Sequence, residues 1–333
     1  MKPSDNPFAL IHPQTLIKRL AQEEFPKTPI ILEAHFSSVD HPLDPEMPVF
    51  QHLPGAIQIH PSYLESGINR SNYYPFYDHP NEANVMPAAE LQQALESLGI
   101  TPASEVVVYG SDPDGVMAAA RLCWGLIYAG VRQVRLLDGG IDTWLAHGGQ
   151  TCLTIKSVWN VHRPGQQNYK WSLQPEYLTT MDEVKKFVTG DPFHQVGKLI
   201  DVRTAAEWHG TSAKKYTFFS KTGHIPRAIH QGDWDNLLDG SSKSLAPHLE
   251  IVAARWRTQG IIDDEVEAGI TPLTFYCGTG WRSSIAFLVA HLLGLSARNF
   301  ESGFYGWSHH PEHPIGRSLK AGVEQADLLA KQP

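Results

Sequence analysis

Four short segments of this chain occur twice in the same order, and this duplication constrains the fold more than any other feature. In the first half IILEAHF (30 to 36) is followed by HLPGAIQIH (52 to 60), EVVVYGSDPDG (105 to 115) and LLDGGIDTW (136 to 144). In the second half LIDVRT (199 to 204) is followed by GHIPRAIH (223 to 230), LTFYCGTGWRS (273 to 283) and NFESGFYGW (299 to 307). Within each copy short apolar runs alternate with segments of helical character. LQQALESLG (91 to 99) leads into the strand VVVY, and HLEIVAARWRTQG (248 to 260) leads into LTFY. Such alternation predicts an α/β fold built as two domains, each a parallel sheet with helices on both faces.

A length of 333 residues suits two domains, and 42% hydrophobic residues supplies two ordinary cores. The stretch SVWNVHRPGQQNYKW (157 to 171) is polar, carries Pro164 and Gly165, and has no sustained periodicity, so it reads as a linker. The predicted organisation is a first domain over 12 to 150, a linker over 151 to 170, a second domain over 171 to 318, and a tail over 319 to 333. A formal net charge of -8 argues against a general nucleic-acid or membrane-surface binder, so an anionic substrate must be held by a local cluster of positive groups. The three cysteines, Cys123, Cys152 and Cys277, are widely spaced with no CxxC pair, which speaks against a disulfide framework or a metal-ligand rhythm. The N-terminus lacks the apolar core of a secretory signal, and no run approaches the length needed to span a membrane. These features together predict a reducing, cytoplasmic setting.

Cys277 stands out because it ends an apolar strand and is followed by two glycines within three residues. In open parallel sheets ligands bind just beyond the carboxyl ends of the strands, and Cys277 falls there in the second copy. Gly278 and Gly280 let the backbone approach the sulfur closely. The following RSSIAFLVAHLLG reads as a buried helix whose N-terminus and unpaired amides bring partial positive charge. The nucleophile of cysteine chemistry is the thiolate, which a thiol of ordinary pKa ~8.5 forms only sparingly at neutral pH unless positive potential stabilises it. Cys277 is therefore the predicted catalytic residue, in a cradle formed by Gly278, Thr279, Gly280, Trp281, Arg282 and Ser283. Arg282 either points into that cradle or pairs with a nearby carboxylate and braces the loop. Trp281 either faces the mouth of the cleft or packs between the domains. Cys123, within GVMAAARLCWGLIYAG, reads as core filling, and Cys152 has no evident partner.

The segments DVRTAAEW (201 to 208), GHIPRAIH and YCGTGWRSS, in this order, resemble the signatures of a rhodanese domain. The first copy resembles the catalytically silent module of tandem rhodaneses, and the similarity runs from about residue 28 to 316. The resemblance implies two tandem rhodanese-like domains and a sulfurtransferase needing no cofactor. Its Cys277 thiolate takes a sulfane sulfur from a small anionic donor and hands it to a thiophilic acceptor. Thiosulfate is the favoured donor and 3-mercaptopyruvate the alternative. The acceptor is cyanide or a thiol, including one carried by a thioredoxin-like protein. Aligning VVVYGSDPDG with LTFYCGTGWR puts Gly110 at the position of Cys277, so only the second copy has the thiol. Asp201 and Arg203 are expected to brace the site from the neighbouring strand or to form a plain structural ion pair, and His224 is expected to fix the GHIP turn. Tandem relatives place a substrate-binding arginine four residues after the arginine of the DVR segment. Here that position is Glu207, a cleft position of the wrong charge. Lys214, Lys215 and Lys221 in the following loop are candidate substitutes or simply solvated charges. His79, in YDHPNEANVMP (77 to 87), is a candidate donor contact from the first domain.

Two rival readings remain. A cysteine phosphatase or arsenate reductase holds an oxyanion on a loop with five residues between cysteine and arginine, whereas Cys277 and Arg282 are separated by four. A carrier that receives and passes a persulfide between proteins without small-molecule turnover is the alternative of a different class. The tail SHHPEHPIG (308 to 316) contains three histidines and a glutamate, but its prolines break any helical register, so no metal site is expected.

Overall fold

The computed structural model describes residues 7–21, 29–35, 51–66, 84–111, 115–153, 156–157, 169–193, 195–211 and 221–317. His79, Lys214 and Lys215 lie outside the described residues. The first module comprises β1 (Phe8–Ile11), α1 (Pro13–Leu20), β2 (Ile30–Ala34), β3 (Ile57–Ile59), α2 (Ala88–Ser97), β4 (Glu105–Gly110), α3 (Gly115–Ala129), β5 (Gln133–Leu137), α4 (Gly140–Ala146) and β6 (Lys156–Ser157). The second comprises α5 (Met181–Thr189), β7 (Lys198–Asp201), α6 (Ala205–Trp208), β8 (Ile229–His230), α7 (Leu249–Thr258), α8 (Asp264–Glu267), β9 (Leu273–Tyr276), α9 (Trp281–Leu292), β10 (Ala297–Asn299) and α10 (Gly303–His309).

Each module is an α/β unit around an all-parallel sheet. The strand orders are β1-β5-β4-β2-β3-β6 and β10-β9-β7-β8. The shared part, β5-β4-β2-β3 against β10-β9-β7-β8, is the duplication made visible. Central strands of a parallel sheet are covered on both faces, so they read as unbroken apolar runs. Accordingly Val106 to Val108 and all of β9 are buried. Two strands fall outside the boundaries read from the sequence. Phe8–Ile11 precedes residue 12 and pairs with β5, and Lys156–Ser157 lies in the predicted linker and pairs with β3. Both are short segments whose place is fixed by non-local pairing, for which local composition carries no signal.

The helices that follow β4 and β9 pack at the same interface. The apolar helices α3 and α9 follow β4 and β9, and their residues join one hydrophobic cluster that runs through both modules, including Leu122, Trp124, Leu126, Ile285, Phe287 and Leu288. Separate clusters line the outer faces, around Leu53, Tyr109 and Trp144 in the first module and around Val184, Tyr276 and Trp307 in the second. Polar contacts cross the interface at corresponding places of the repeat. Asp138 Oδ1 and Oδ2 accept from the amides of Leu245 (2.7 Å) and Ala246 (3.3 Å), while Glu301 Oε2 accepts from the amide of Val85 (2.9 Å). A shared apolar core with reciprocal hydrogen bonds joins the two modules, unlike the small polar interfaces of mobile domains.

Candidate active site

Cys277 follows β9 directly, and a turn of only three residues, Gly278 to Gly280, separates it from α9. Arg282 and Ser283 open the helix read from the sequence and lie in its first turn, which begins one residue earlier, at Trp281. Gly280 adopts φ 85°, and a Cβ there would lie 2.8 Å from Glu301 Cα, so both conformation and space demand glycine. The turn is held from beneath by α10. Cys277 O accepts from Phe304 N (2.8 Å) and Gly278 O from Tyr305 N (3.0 Å). Among the described residues no backbone carbonyl takes the amides of Gly278, Thr279 or Gly280. The thiol itself is 1% exposed, with Ser283 Oγ 3.7 Å from Sγ. Ser283 Oγ also donates to Asn299 Oδ1 (2.7 Å), and Asn299 Nδ2 donates to Gly280 O (3.2 Å), so β10 holds the helix head and the turn together.

Of the two placements open to Arg282, the structure adopts the bracing one. Its terminal nitrogens donate to the Glu207 carboxylate at 2.7 and 2.9 Å. This also corrects the reading of Glu207 as a cleft position. Its carboxylate accepts from the amide (3.2 Å) and hydroxyl (3.0 Å) of Thr204 in a capping box at the head of α6, and it is the counter-ion of Arg282. Burial pushes the Glu207 carboxyl up, but the hydrogen bonds and charge of Arg282, joined by the Arg203 charge and the Thr204 amide, outweigh burial and leave it below the usual carboxylate range. The Arg282 charge is therefore balanced by Glu207, and the partial charges of the backbone turn and helix head remain for the sulfur.

Asp201 and Arg203 form a buried ion pair at the end of β7, with Arg203 Nη2 to Asp201 Oδ2 at 2.6 Å and both residues no more than 1% exposed. Arg203 Nη2 also donates to Gly223 O (2.8 Å), and its guanidinium lies over the Phe304 ring at 4.1 Å. Tyr276, one residue before the thiol, accepts from Ile225 N at its hydroxyl (3.2 Å). Burial first, and then the Asp201 charge, hold that phenol far above its ordinary range, so it stays a neutral donor. This network ties β9 to β7 and to the GHIP turn. His224 lies in that turn with its ring stacked on Trp208 at 3.6 Å and its backbone paired with Gly316. Lys221 is not a solvated charge, since its ammonium donates to the carbonyls of His310, Pro311 and His313 at 2.7, 2.9 and 2.8 Å.

Trp281 packs between the modules, with its ring 5.3 Å from that of His60 and its Nε1 donating to Glu65 Oε1 (2.7 Å). It leads to a cluster that the sequence did not disclose. Arg121 of α3 donates from Nε to Glu65 Oε1 (2.9 Å) and from Nη2 to Glu301 Oε2 (2.8 Å). Two buried carboxylates thus share one guanidinium. Burial pushes Glu65 up to about 7, against the charge and hydrogen bonds of Arg121 and the bond from Trp281, with Glu301 adding to the rise. The only available signal was Arg121 itself, a lone charge in an apolar helix.

The corresponding position of the first module, Gly110, carries no thiol and has no room for one. A Cβ at Gly110 would lie 2.3 Å from the backbone carbon of Gly115. Beneath it Glu33 replaces Asp201, accepting from the Tyr109 hydroxyl and approached by His52 Nδ1 at 2.8 Å.

Comparison with known proteins agrees with this geometry. The profile of the Rhodanese-like domain matches twice, at residues 33–147 and 180–310. The chain is 28% identical over 283 residues to the thiosulfate sulfurtransferase YnjE of Escherichia coli (strain K12), covering 81% of this chain and 57% of that protein's length. It is 26% identical over 272 residues to the thiosulfate sulfurtransferase of Azotobacter vinelandii, covering 79% of this chain and 85% of the relative. Among solved structures, the anaerobic ergothioneine biosynthesis enzyme from Chlorobium limicola in complex with trimethyl histidine superposes with a TM-score of 0.73 at 26% identity, covering 93% of this chain and 70% of that one. A structure of EanB with ergothioneine linked to a persulfidated cysteine gives 0.74 at 26% identity, with the same coverage. With two matches that together span most of its length, the chain belongs to the rhodanese-like domain family and carries that domain in tandem.

Proposed function

We propose that the protein is a sulfurtransferase that moves a sulfane sulfur through a persulfide on Cys277. The observation that carries this reading is the turn itself. A lone thiol at the carboxyl end of β9 heads a glycine turn whose amides have no carbonyl acceptor among the described residues, with the N-terminus of α9 behind it. Such a turn suits a single anionic sulfur atom. The curated relatives named as thiosulfate sulfurtransferases, and the solved relative with a persulfidated cysteine, support the same chemistry.

With thiosulfate, the Cys277 thiolate attacks the outer sulfur. A new S–S bond forms to Cys277, and the bond to the sulfonate sulfur breaks with its electron pair leaving on sulfite. A nucleophilic acceptor, cyanide or a thiolate, then attacks the terminal sulfur of the persulfide. The pair of the Cys277 S–S bond returns to the protein as thiolate, completing the cycle without external oxidant or reductant. Thiosulfate is the favoured donor and 3-mercaptopyruvate the alternative, and a thioredoxin-like protein is a candidate thiol acceptor. Glu207 is engaged by Arg282, so donor-anion contacts fall to other groups, with Lys214, Lys215 and His79 as the candidates. The commitment of Arg282 to Glu207 also disfavours a phosphatase, which needs its arginine on the oxyanion. A reducing, cytoplasmic setting fits three cysteines that form no disulfide, and no helix among the described residues is long and apolar enough to cross a membrane.

The test is mass spectrometry of the intact protein after incubation with each donor, followed by a turnover assay with cyanide. A mass gain of one sulfur atom, absent in Cys277→Ala, together with steady-state thiocyanate release supports the enzyme. Sulfur uptake without steady-state release identifies a carrier instead. Absence of uptake from both donors, with hydrolysis of an aryl phosphate, overturns the proposal.

A further inference from the structure

The segment after α10, where the sequence gives no reason to expect a metal, gathers three ligating side chains on one side of a tight turn. The turn closes with His313 N donating to His310 O at 3.1 Å. The ligand atoms of His310, Glu312 and His313 then lie within 4.8 Å of one another. Glu312 Oε1 is 3.5 Å from His310 Nδ1 and 3.8 Å from His313 Nε2. Ligands bonded at about 2.0–2.2 Å around a tetrahedral zinc ion are separated by roughly 3.3 Å, so small side-chain adjustments close the site.

The second observation is the state of His313. This residue is 5% exposed, its ring stacks on Trp307 at 4.1 Å, and its Nδ1 lies 3.1 Å from Trp307 O. A carbonyl oxygen only accepts, so Nδ1 carries the proton and Nε2 presents its lone pair. Nε2 is buried and has no hydrogen-bond partner. A buried polar nitrogen without a partner is costly. An imidazole whose other nitrogen donates to a backbone carbonyl is the arrangement that orients metal-ligating histidines.

We propose that His310, Glu312 and His313 form a binding site for a divalent transition cation of the zinc, cobalt and nickel class, with one coordination position left to water. Two imidazoles and a single carboxylate match such borderline cations and do not match magnesium or calcium, which take sets of oxygen ligands. Lys221 gathers the carbonyls of the same turn, and Lys185 on α5 acts electrostatically on both Glu312 and His313. Two ammonium groups oppose a cation, so affinity in the micromolar range is expected. The site fixes the segment that pairs Gly316 with His224 and leads back to the turn beside Arg203.

The test uses the full-length, untagged chain with Cys277→Ser, stripped by a chelator and titrated with cobalt(II) while visible d–d absorption is followed. One equivalent should bind, be displaced by zinc, and be unaffected by excess magnesium or calcium. His310→Ala and Glu312→Gln, both changes at side chains that are not buried, should each weaken binding at least about tenfold, and His313→Gln should abolish it. Binding unchanged in the His310→Ala and Glu312→Gln variants, a thiolate-to-cobalt charge-transfer band, equal displacement by calcium, or no binding up to millimolar cobalt would each overturn the proposal.

Discussion

The two strand-to-helix turns of this protein began as copies of one element and now differ in what their backbone permits. After β9 the chain leaves Cys277 in a turn clamped by α10 and β10, with glycine amides at the head of α9. After β4 the chain folds back so closely that the backbone of Gly115 occupies the place of a Cβ at Gly110. The first module lacks more than a thiol, because the space that a side chain at residue 110 would require is filled by main chain. What it retains is the interface, where Asp138 and Glu301, corresponding residues of the repeat, each accept amide hydrogen bonds from the opposite module. The first module thus packs against the other turn, through Glu65 on Trp281 and through Arg121 and the Val85 amide on Glu301.

The largest expected effect comes from moving the thiol between the turns. Cys277→Ala should lower sulfur transfer by at least about 10³-fold, and adding Gly110→Cys should restore none of it while lowering the melting temperature. Sulfur uptake by that double variant, read by mass spectrometry, would break the comparison by showing the first turn to be an intact cradle.

Next in size is the Arg282–Glu207 pair. Arg282→Ala strands a largely buried carboxylate and should cost roughly 3–5 kcal/mol in thermal or chemical denaturation, while Arg282→Met with Glu207→Leu should regain most of that stability and still take up sulfur. Full stability combined with lost sulfur uptake in Arg282→Ala would mean that this arginine serves the sulfur directly.

The interface cluster should make stability depend on pH. Burial raises the folded-state pKa of Glu65 above its unfolded value of 4.5, to about 7, and that of Glu301 in the same direction. The folded protein therefore holds more protons than the unfolded chain across this window. The stabilisation is fully present below about 4.5 and is lost as pH rises through about 7, a change on the order of 3 kcal/mol. Glu65→Gln should flatten that dependence in denaturant titrations at pH 5 and pH 8. An unchanged slope would show that the cluster does not hold a proton.

The smallest effect sharpens the reciprocity. Asp138→Ala removes acceptors from two amides and should cost about 1–2 kcal/mol, and Glu301→Ala should cost more because it also strips Arg121 of one of its two carboxylates. Equal melting-point losses would mean that the Arg121 contact adds nothing.

Much of the architecture was legible because parallel strands buried on both faces are unbroken apolar runs, as in VVVY and LTFY, and because the second copy repeats the first. Cys277 was legible because a strand, a glycine turn and a helix are contiguous in sequence. Phe8–Ile11 and Lys156–Ser157 were missed, since a strand of four or two residues is defined by its pairing partner. The partner of Arg282 was undetermined, since Glu207 lies 75 residues away and meets it only when β7 and β9 lie side by side. The coupling of Glu65 and Glu301 through Arg121 joins residues 56 and 180 positions from that arginine and crosses both modules, so no local pattern records it.

The sequence by itself determined the duplication, the α/β class and the single thiol at the head of a helix, all of which are written in local periodicity and short-range order. Tertiary structure alone decided that Arg282 braces rather than cradles, that the first turn is sealed by its own backbone, and that two buried carboxylates share one cation at the interface. Charges find their partners by proximity in space, and that proximity is created by packing two sheets around one core rather than by any spacing along the chain.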